Sequence, residues 1–320
     1  MSQVKQSMAL GVTFALITAV LWGAVPIAMK QLFPDMTPYT LVWYRFIISS
    51  VGLGLVLAFQ RKLPRLKLFR RPRWLIILLI AALGLVGNFV FFSSALQYLT
   101  PTASQVIGQL SPIGMLFASV LILKETMRIT QIIGAITLVV GMVMFFNTNL
   151  IEIFTRLTDY TMGVLLGVCA SVVWVAYGVA QKILQRRLSA SQILFLLYVL
   201  STIFVTPLAT PSEIFNLNGW QLACLAFCGL NTLVAYGALG EAMARWQVAQ
   251  VSALITLTPL FTLIFSDLLA VVWPDMFSMM VLNVMGYSGA IIVVLGAMFS
   301  AAGHRLFSRR SEKRPGISIK

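Results

Sequence analysis

Two charged side chains stand inside long apolar runs, Arg45 and Asp267. A charge at mid-bilayer depth costs at least about 2.5 kcal/mol, so it marks a functional position unless the side chain reaches the interface. Trp43, Tyr44 and Phe46 flank Arg45, and Trp273 and Pro274 follow Asp267; such neighbours also fit snorkelling to the headgroups. One arrangement uses both charges, as a pair closing a gate at one face, with Asp267 titrating and protons as the coupling ion. Uncharged candidates cluster around two prolines. Gln105, Gln109 and Pro112 are spaced i, i+4, i+7 on one helical face, while Gln250, Ser252, Thr256 and Thr258 precede Pro259. A mid-helix proline frees the carbonyl four residues back, and in a bilayer that carbonyl must face protein or water. Trp22, Trp174, Tyr177, Asn88 and Asn231 also lie deeper than an interfacial belt. Together these groups suit a cavity for a small solute; the competing use is interhelical hydrogen bonding, worth about 0.6 kcal/mol on average.

Chemistry of other kinds is not written here. The chain has no H-E-x-x-H, no G-x-S-x-G, no pair of intramembrane acids and no G-x-x-x-x-G-K-[ST], so neither a metalloprotease, a serine hydrolase nor a resident ATPase of the phosphate-loop type is expected. Cys169, Cys224 and Cys228 sit in apolar runs without metal-site spacing. No catalytic residue, metal or cofactor is assigned.

The elements that must hold these residues follow from composition. Of 320 residues 59% are apolar and only 10% charged, against roughly 25% charged in a water-facing protein. The apolar runs are continuous rather than alternating, which selects helices over a barrel. Ten spans are read: Met8–Met29, Tyr39–Phe59, Trp74–Gln97, Thr102–Leu123, Ile129–Phe146, Thr161–Gln181, Ser191–Leu208, Trp220–Gly240, Gln247–Val271 and Phe277–Ala301. The first is too long for a secretory signal and lacks a cleavage site. The tail from Gly303 to Lys320 is basic and reads as disordered.

Of 23 Lys and Arg residues, twenty fall on one side of these spans, Lys30 and Arg156 on the other, and Arg45 within. Basic residues stay cytoplasmic, so both termini are expected there. The net charge of +14 then marks contact with the anionic inner leaflet of a lipid bilayer, not nucleic-acid binding.

The chain also repeats. A shift of 152 residues lays Gly11, Trp22, Ala28 and Lys30 on Gly163, Trp174, Ala180 and Lys182, and Ser49 on Ser201. A shift of 147 lays Leu110-Ser111-Pro112 on Leu257-Thr258-Pro259, and Ser119 on Ser266. Gly134-Ala135-Ile136 with Gly141 matches Gly289-Ala290-Ile291 with Gly296. Five spans per copy is an odd number, so the second copy enters from the opposite face. The expected fold is an all-α integral membrane protein of ten transmembrane helices, as two inverted five-helix repeats over 8–146 and 161–302, with a basic cytoplasmic tail over 303–320. Inverted repeats suit alternating access. The glycines of the fifth and tenth spans, recurring at seven residues, suit close helix packing within the chain or in a homodimer.

The order of Ala19-Val20-Leu21-Trp22-Gly23, Arg45-Phe46, Ser94-Ala95-Leu96-Gln97-Tyr98, Leu110-Ser111-Pro112 and Lys124-Glu125-Thr126 resembles the EamA-type family of the drug/metabolite transporter superfamily. The resemblance covers about residues 8–302. It implies a bacterial inner-membrane carrier, often an exporter of amino acids or other small metabolites, with a cavity lined by spans one to four and six to nine. The second copy departs where Lys124-Glu125 would recur, reading Val271-Val272-Trp273-Pro274-Asp275, so Glu125 receives no paired role. A carrier for a small-molecule substrate is the main expectation. A lipid or headgroup translocase is the alternative, and a non-transporting receptor or scaffold leaves inverted copies unexplained.

Overall fold

The computed structural model describes residues 8–64, 66–122, 128–246, 248–277 and 282–311. Lys124-Glu125-Thr126, Lys5 and residues 312–320 of the tail lie outside these. Among the described residues the chain is helical with no strand: α1 (Met8–Lys30), α2 (Pro38–Phe59), α3 (Pro72–Tyr98), α4 (Pro101–Gly108), α5 (Leu110–Leu121), α6 (Ile129–Phe145), α7 (Leu150–Thr155), α8 (Asp159–Leu184), α9 (Ala190–Val205), α10 (Gly219–Arg245), α11 (Val248–Ile255), α12 (Thr258–Val272) and α13 (Val284–Ser311). Among the described residues eight helical segments are long and apolar enough to cross a membrane, with Gln250–Val272 counted as one, and α6 is a shorter apolar helix. The run read as the fourth span is two short helices, α4 and α5, meeting at Gln109.

Local chemistry sets several boundaries. Thr37-Pro38 and Thr100-Pro101 start α2 and α4 with a threonine hydroxyl capping a backbone N–H and a proline where no N–H is needed. Ser189 with Gln192, and Asn218 with Gln221, form capping boxes on α9 and α10. α2 ends with Arg61 at φ 53°, its N–H on the Ala58 carbonyl and that of Lys62 on Leu57. This closing turn usually takes glycine. At the other end of the chain α13 continues to Ser311, beyond the start of the segment read as disordered.

The packing has a regular plan. α6 lies on α13, α3 on α8, α1 on α10 and α2 on α9. Substituting α8 for α1, α9 for α2, α10 for α3, α11 and α12 for α4 and α5, and α13 for α6 turns α3–α8 into α10–α1, α2–α10 into α9–α3, and α1–α12 into α8–α5; all of these contacts are present.

The α6–α13 contact keeps the same plan residue by residue. A Cβ at Gly134 would strike the Ser300 backbone, one at Gly141 the Val293 backbone, one at Gly289 that of Phe145, and one at Gly296 that of Leu138. Positions rise along one helix as they fall along the other, so the two run antiparallel. These glycines are spent inside the chain, letting two backbones touch.

A second reciprocity exchanges sizes. Gly23 faces Phe261, and Gly114 faces Val175; by the registers of 152 and 147, Val175 takes the place of Gly23 and Phe261 that of Gly114. Each contact pairs one glycine with one bulky residue, which keeps the packed volume similar.

Candidate functional site

Arg45 is only 6% exposed. Its Nε–H donates to the Thr232 hydroxyl of α10 at 3.1 Å, Nη1 donates to the Met29 sulfur at 3.4 Å, and the guanidinium lies 4.6 Å from the Phe89 ring centroid. The snorkelling alternative fails because α2 packs on α10 at this level, turning the side chain inward. A guanidinium carries five N–H donors, and the partners here are a hydroxyl, a thioether and an aromatic face, with no carboxylate among them. Asp267 lies elsewhere, accepting a hydrogen bond from the Tyr287 hydroxyl of α13 at 3.4 Å. The structure therefore gives the two intramembrane charges separate partners and does not bring them together in this conformation.

An aromatic cluster adjoins Arg45. Ring centroids are 4.8 Å apart for Phe46–Phe89, 6.1 Å for Phe46–Tyr198, 6.4 Å for Tyr198–Tyr236 and 5.2 Å for Trp22–Tyr236. Trp174 and Tyr177, 4.8 Å apart, pack against the same cluster. Six helices supply it: α1, α2, α3, α8, α9 and α10. Trp22, Trp174 and Tyr177 are thus brought into one cluster. Sequence reasoning missed Phe46, Phe89, Tyr198 and Tyr236. One signal was available, since the shift of 152 that pairs Ser49 with Ser201 also lays Phe46 on Tyr198. The hydroxyls of Tyr198, Ser49 and Ser201 are fully buried without a hydrogen-bond partner. Leaving such a group unsatisfied costs about 1–3 kcal/mol, so these three hydroxyls, on α2 and α9, mark a place where stability has been given up.

The glutamines and the broken helices lie alongside. Gln105 donates to the Trp22 carbonyl at 2.9 Å, tying α4 to α1 at the aromatic cluster. Gln109, 8% exposed, sits at the α4–α5 junction with no partner for its Oε1. The breaks fall three residues before Pro112, at Gln109, and two to three before Pro259, at Thr256 and Leu257. Both prolines therefore occupy the first turn of the following helix, where the loss of a backbone N–H is tolerated. Pro259 still denies the Ile255 carbonyl its helical donor, and the Thr258 hydroxyl replaces it at 2.6 Å. Thr256 likewise donates to the Ala253 carbonyl at 2.7 Å, and Thr262 reaches across to Gly23 of α1 at 2.8 Å.

Asn88 and Asn231 use their amide nitrogens between helices. Asn88 donates to the Ala170 carbonyl of α8 at 3.0 Å, and Asn231 to the Leu21 carbonyl of α1 at 2.6 Å. Asn231 Oδ1 is buried without a partner.

One end of the bundle is laced shut. Thr37 bonds Glu213 through its N–H at 2.8 Å, Thr210 N–H reaches the Thr40 hydroxyl at 2.9 Å, Tyr44 reaches the Pro211 carbonyl at 2.8 Å, and Gln221 donates to Asp35 at 2.7 Å. Lys30, at the same end, gives two N–H bonds to the Leu96 and Leu99 carbonyls, at 2.8 and 2.7 Å, where a cation favours the C-terminus of α3.

Comparison with known proteins adds the family. The model of the EamA-like transporter family matches twice, at residues 9–147 and 161–301. The uncharacterized inner membrane transporter YhbE of Escherichia coli (strain K12) is 65% identical over 303 residues, 95% of this chain and 94% of its own. An uncharacterized transporter of Haemophilus influenzae is 44% identical over 307 residues, 96% of this chain and 99% of its own. A solved crystal structure superposes with a TM-score of 0.63 at 19% identity, covering 96% of this chain and all of that one; at that identity the likeness speaks to fold alone.

Proposed function

Because the chain belongs to the EamA-like transporter family and is a membrane transporter, we propose that it is a secondary carrier exporting a small metabolite by alternating access. The reading takes the ten spans as two inverted five-helix copies with both termini cytoplasmic. The observation that carries it is the antiparallel, reciprocal glycine contact of α6 with α13. Equivalent helices that run in opposite directions and exchange their contacts are what a two-fold axis in the membrane plane produces. The double family match and the exchange of helix pairings support the same reading. Such an assembly has two near-equivalent packings, one open to each face.

The substrate site is the space around Arg45 and the aromatic cluster, with Gln105, Gln109 and the α4–α5 and α11–α12 breaks at its edge. A guanidinium without a carboxylate seeks an anion, and the unpartnered hydroxyl of Tyr198, whose ring lies 6.1 Å from that of Phe46, is a second donor in the adjoining cluster. The substrate is accordingly a small solute bearing a carboxylate or similar anionic group, with an apolar body that meets the rings. Asp267, with Tyr287, is the proposed coupling group.

Reconstitution into liposomes tests this: amino acids, organic acids and drug-like cations are screened for flux with and without a proton gradient. Saturable, gradient-dependent movement of an anionic or zwitterionic solute is expected. Movement of lipid headgroups alone would favour a translocase instead. Labelling that put residues 5 and 310 on opposite faces would remove the inverted topology.

A further inference from the structure

A cup of about 630 Å³ lies between the α2–α3 and α8–α9 connections, lined by Arg61, Lys62, Arg71, Trp74, Arg187 and Gln192 together with three leucines. Four of its lining residues are cations and none is an acid. We propose that this cup holds the headgroup of an anionic phospholipid, which bridges the two family-matched segments of the chain.

Like charges gathered around one concavity repel, and Arg61, Lys62 and Arg71 come from the first segment while Arg187 comes from the second. The hydrogen bond from Gln192 Nε2 to the Lys62 carbonyl, 2.9 Å long, links the two connections, but it neutralises nothing. A phosphate in the cup converts mutual repulsion into a shared contact, and guanidinium groups match its oxygens in pairs. Arg61 is presented by a left-handed backbone turn, an unfavourable conformation for a side chain of its size.

The surroundings select a lipid over a soluble anion. Phe59 is 87% exposed just before Arg61, and Ile76 is 56% exposed just after Trp74; on membrane helices such side chains face acyl chains. The floor is apolar too, with Trp74 under the Arg187 guanidinium at 5.8 Å. A molecule with a phosphate at one end and hydrocarbon at the other satisfies both surfaces, as basic pockets between helices at this level do for acidic lipids.

The test uses the full chain in phosphatidylcholine vesicles doped with brominated phosphatidylglycerol or, separately, brominated phosphatidylcholine, with quenching of Trp74 read as the difference between wild type and Trp74→Phe. Stronger quenching by the acidic lipid is expected. The preference should fall about five-fold for each of Arg61→Gln, Arg71→Gln and Arg187→Gln, and survive in the triple Arg→Lys variant. Equal quenching by both lipids, or a preference unchanged in the glutamine variants, overturns the site. Loss of the preference on adding inorganic phosphate would assign the cup to a soluble anion and likewise overturn the lipid. The remaining single variants and the lysine variant keep the test decisive if one glutamine variant does not fold. None of these outcomes depends on the transported substrate.

Discussion

Thr232 accepts the Nε–H of Arg45 at 3.1 Å while giving its own proton to the Cys228 carbonyl at 2.9 Å. The hydroxyl is thereby fixed as an acceptor, and the arginine is held in place by a group that leaves its charge uncompensated. Among the described residues Arg45 has no counter-ion, and a buried charge so placed costs several kcal/mol, which makes it expensive to the fold.

Arg45→Met should therefore leave the melting temperature of the detergent-solubilised protein unchanged or raise it. The same change should cut flux of an anionic solute by about ten- to a hundred-fold, the worth of a charge-assisted hydrogen bond. Arg45→Lys keeps the charge without the planar fork and should be intermediate. Loss of stability in Arg45→Met together with intact flux would make the residue a packing element only.

The helix breaks give a double-mutant cycle. Thr258→Val strips the Ile255 carbonyl of its hydroxyl donor and should cost about 1–3 kcal/mol. In Pro259→Ala the new N–H can reach that carbonyl directly, so adding Thr258→Val should then cost much less. Additive losses in thermal unfolding would show that the threonine does not substitute for the missing backbone donor. Pro259→Ala should also slow transport, since it repairs the break beside the proposed site.

Glycines should divide by what they face. Gly134→Ala and Gly296→Ala place a methyl group against backbone of the opposite helix and should destabilise by about 1–3 kcal/mol. Gly240→Ala, in α10 with open space at its Cβ, should stabilise by about 1 kcal/mol. Equal melting temperatures across the three would contradict the packing described for α6 and α13.

If Asp267 is the coupling group, Asp267→Asn should flatten the pH dependence of flux and uncouple it from a proton gradient, and Tyr287→Phe should shift that dependence. A pH profile unaltered in both variants would remove them from coupling.

Much of the architecture could be read without coordinates, because the bilayer makes the pattern simple. Helical apolar runs appear as runs, and the duplication survives in the Trp22/Trp174, Ser49/Ser201 and Pro112/Pro259 registers. The candidate site was legible only in part. Trp22, Gln105, Gln109, Trp174 and Tyr177 stood out as polar or aromatic residues at depth, but Phe46, Phe89, Tyr198 and Tyr236 look like any aromatic in an apolar run. Asn88 and Asn231 were equally suited to a cavity or to helix pairing, and only the carbonyls of Ala170 and Leu21 show their amide nitrogens in use between helices.

Composition and spacing alone determined that this chain is a helical membrane protein with a duplicated plan, since burial in hydrocarbon leaves few alternatives for an apolar backbone. Which side chains meet was decided by the tertiary structure. Arg45 could have paired with Asp267 or reached the headgroups, and the choice depended on the rotation of α2 against α10. Rotation about a helix axis is set by contacts with neighbours far away in the chain, such as Thr232, and no local run of residues encodes it.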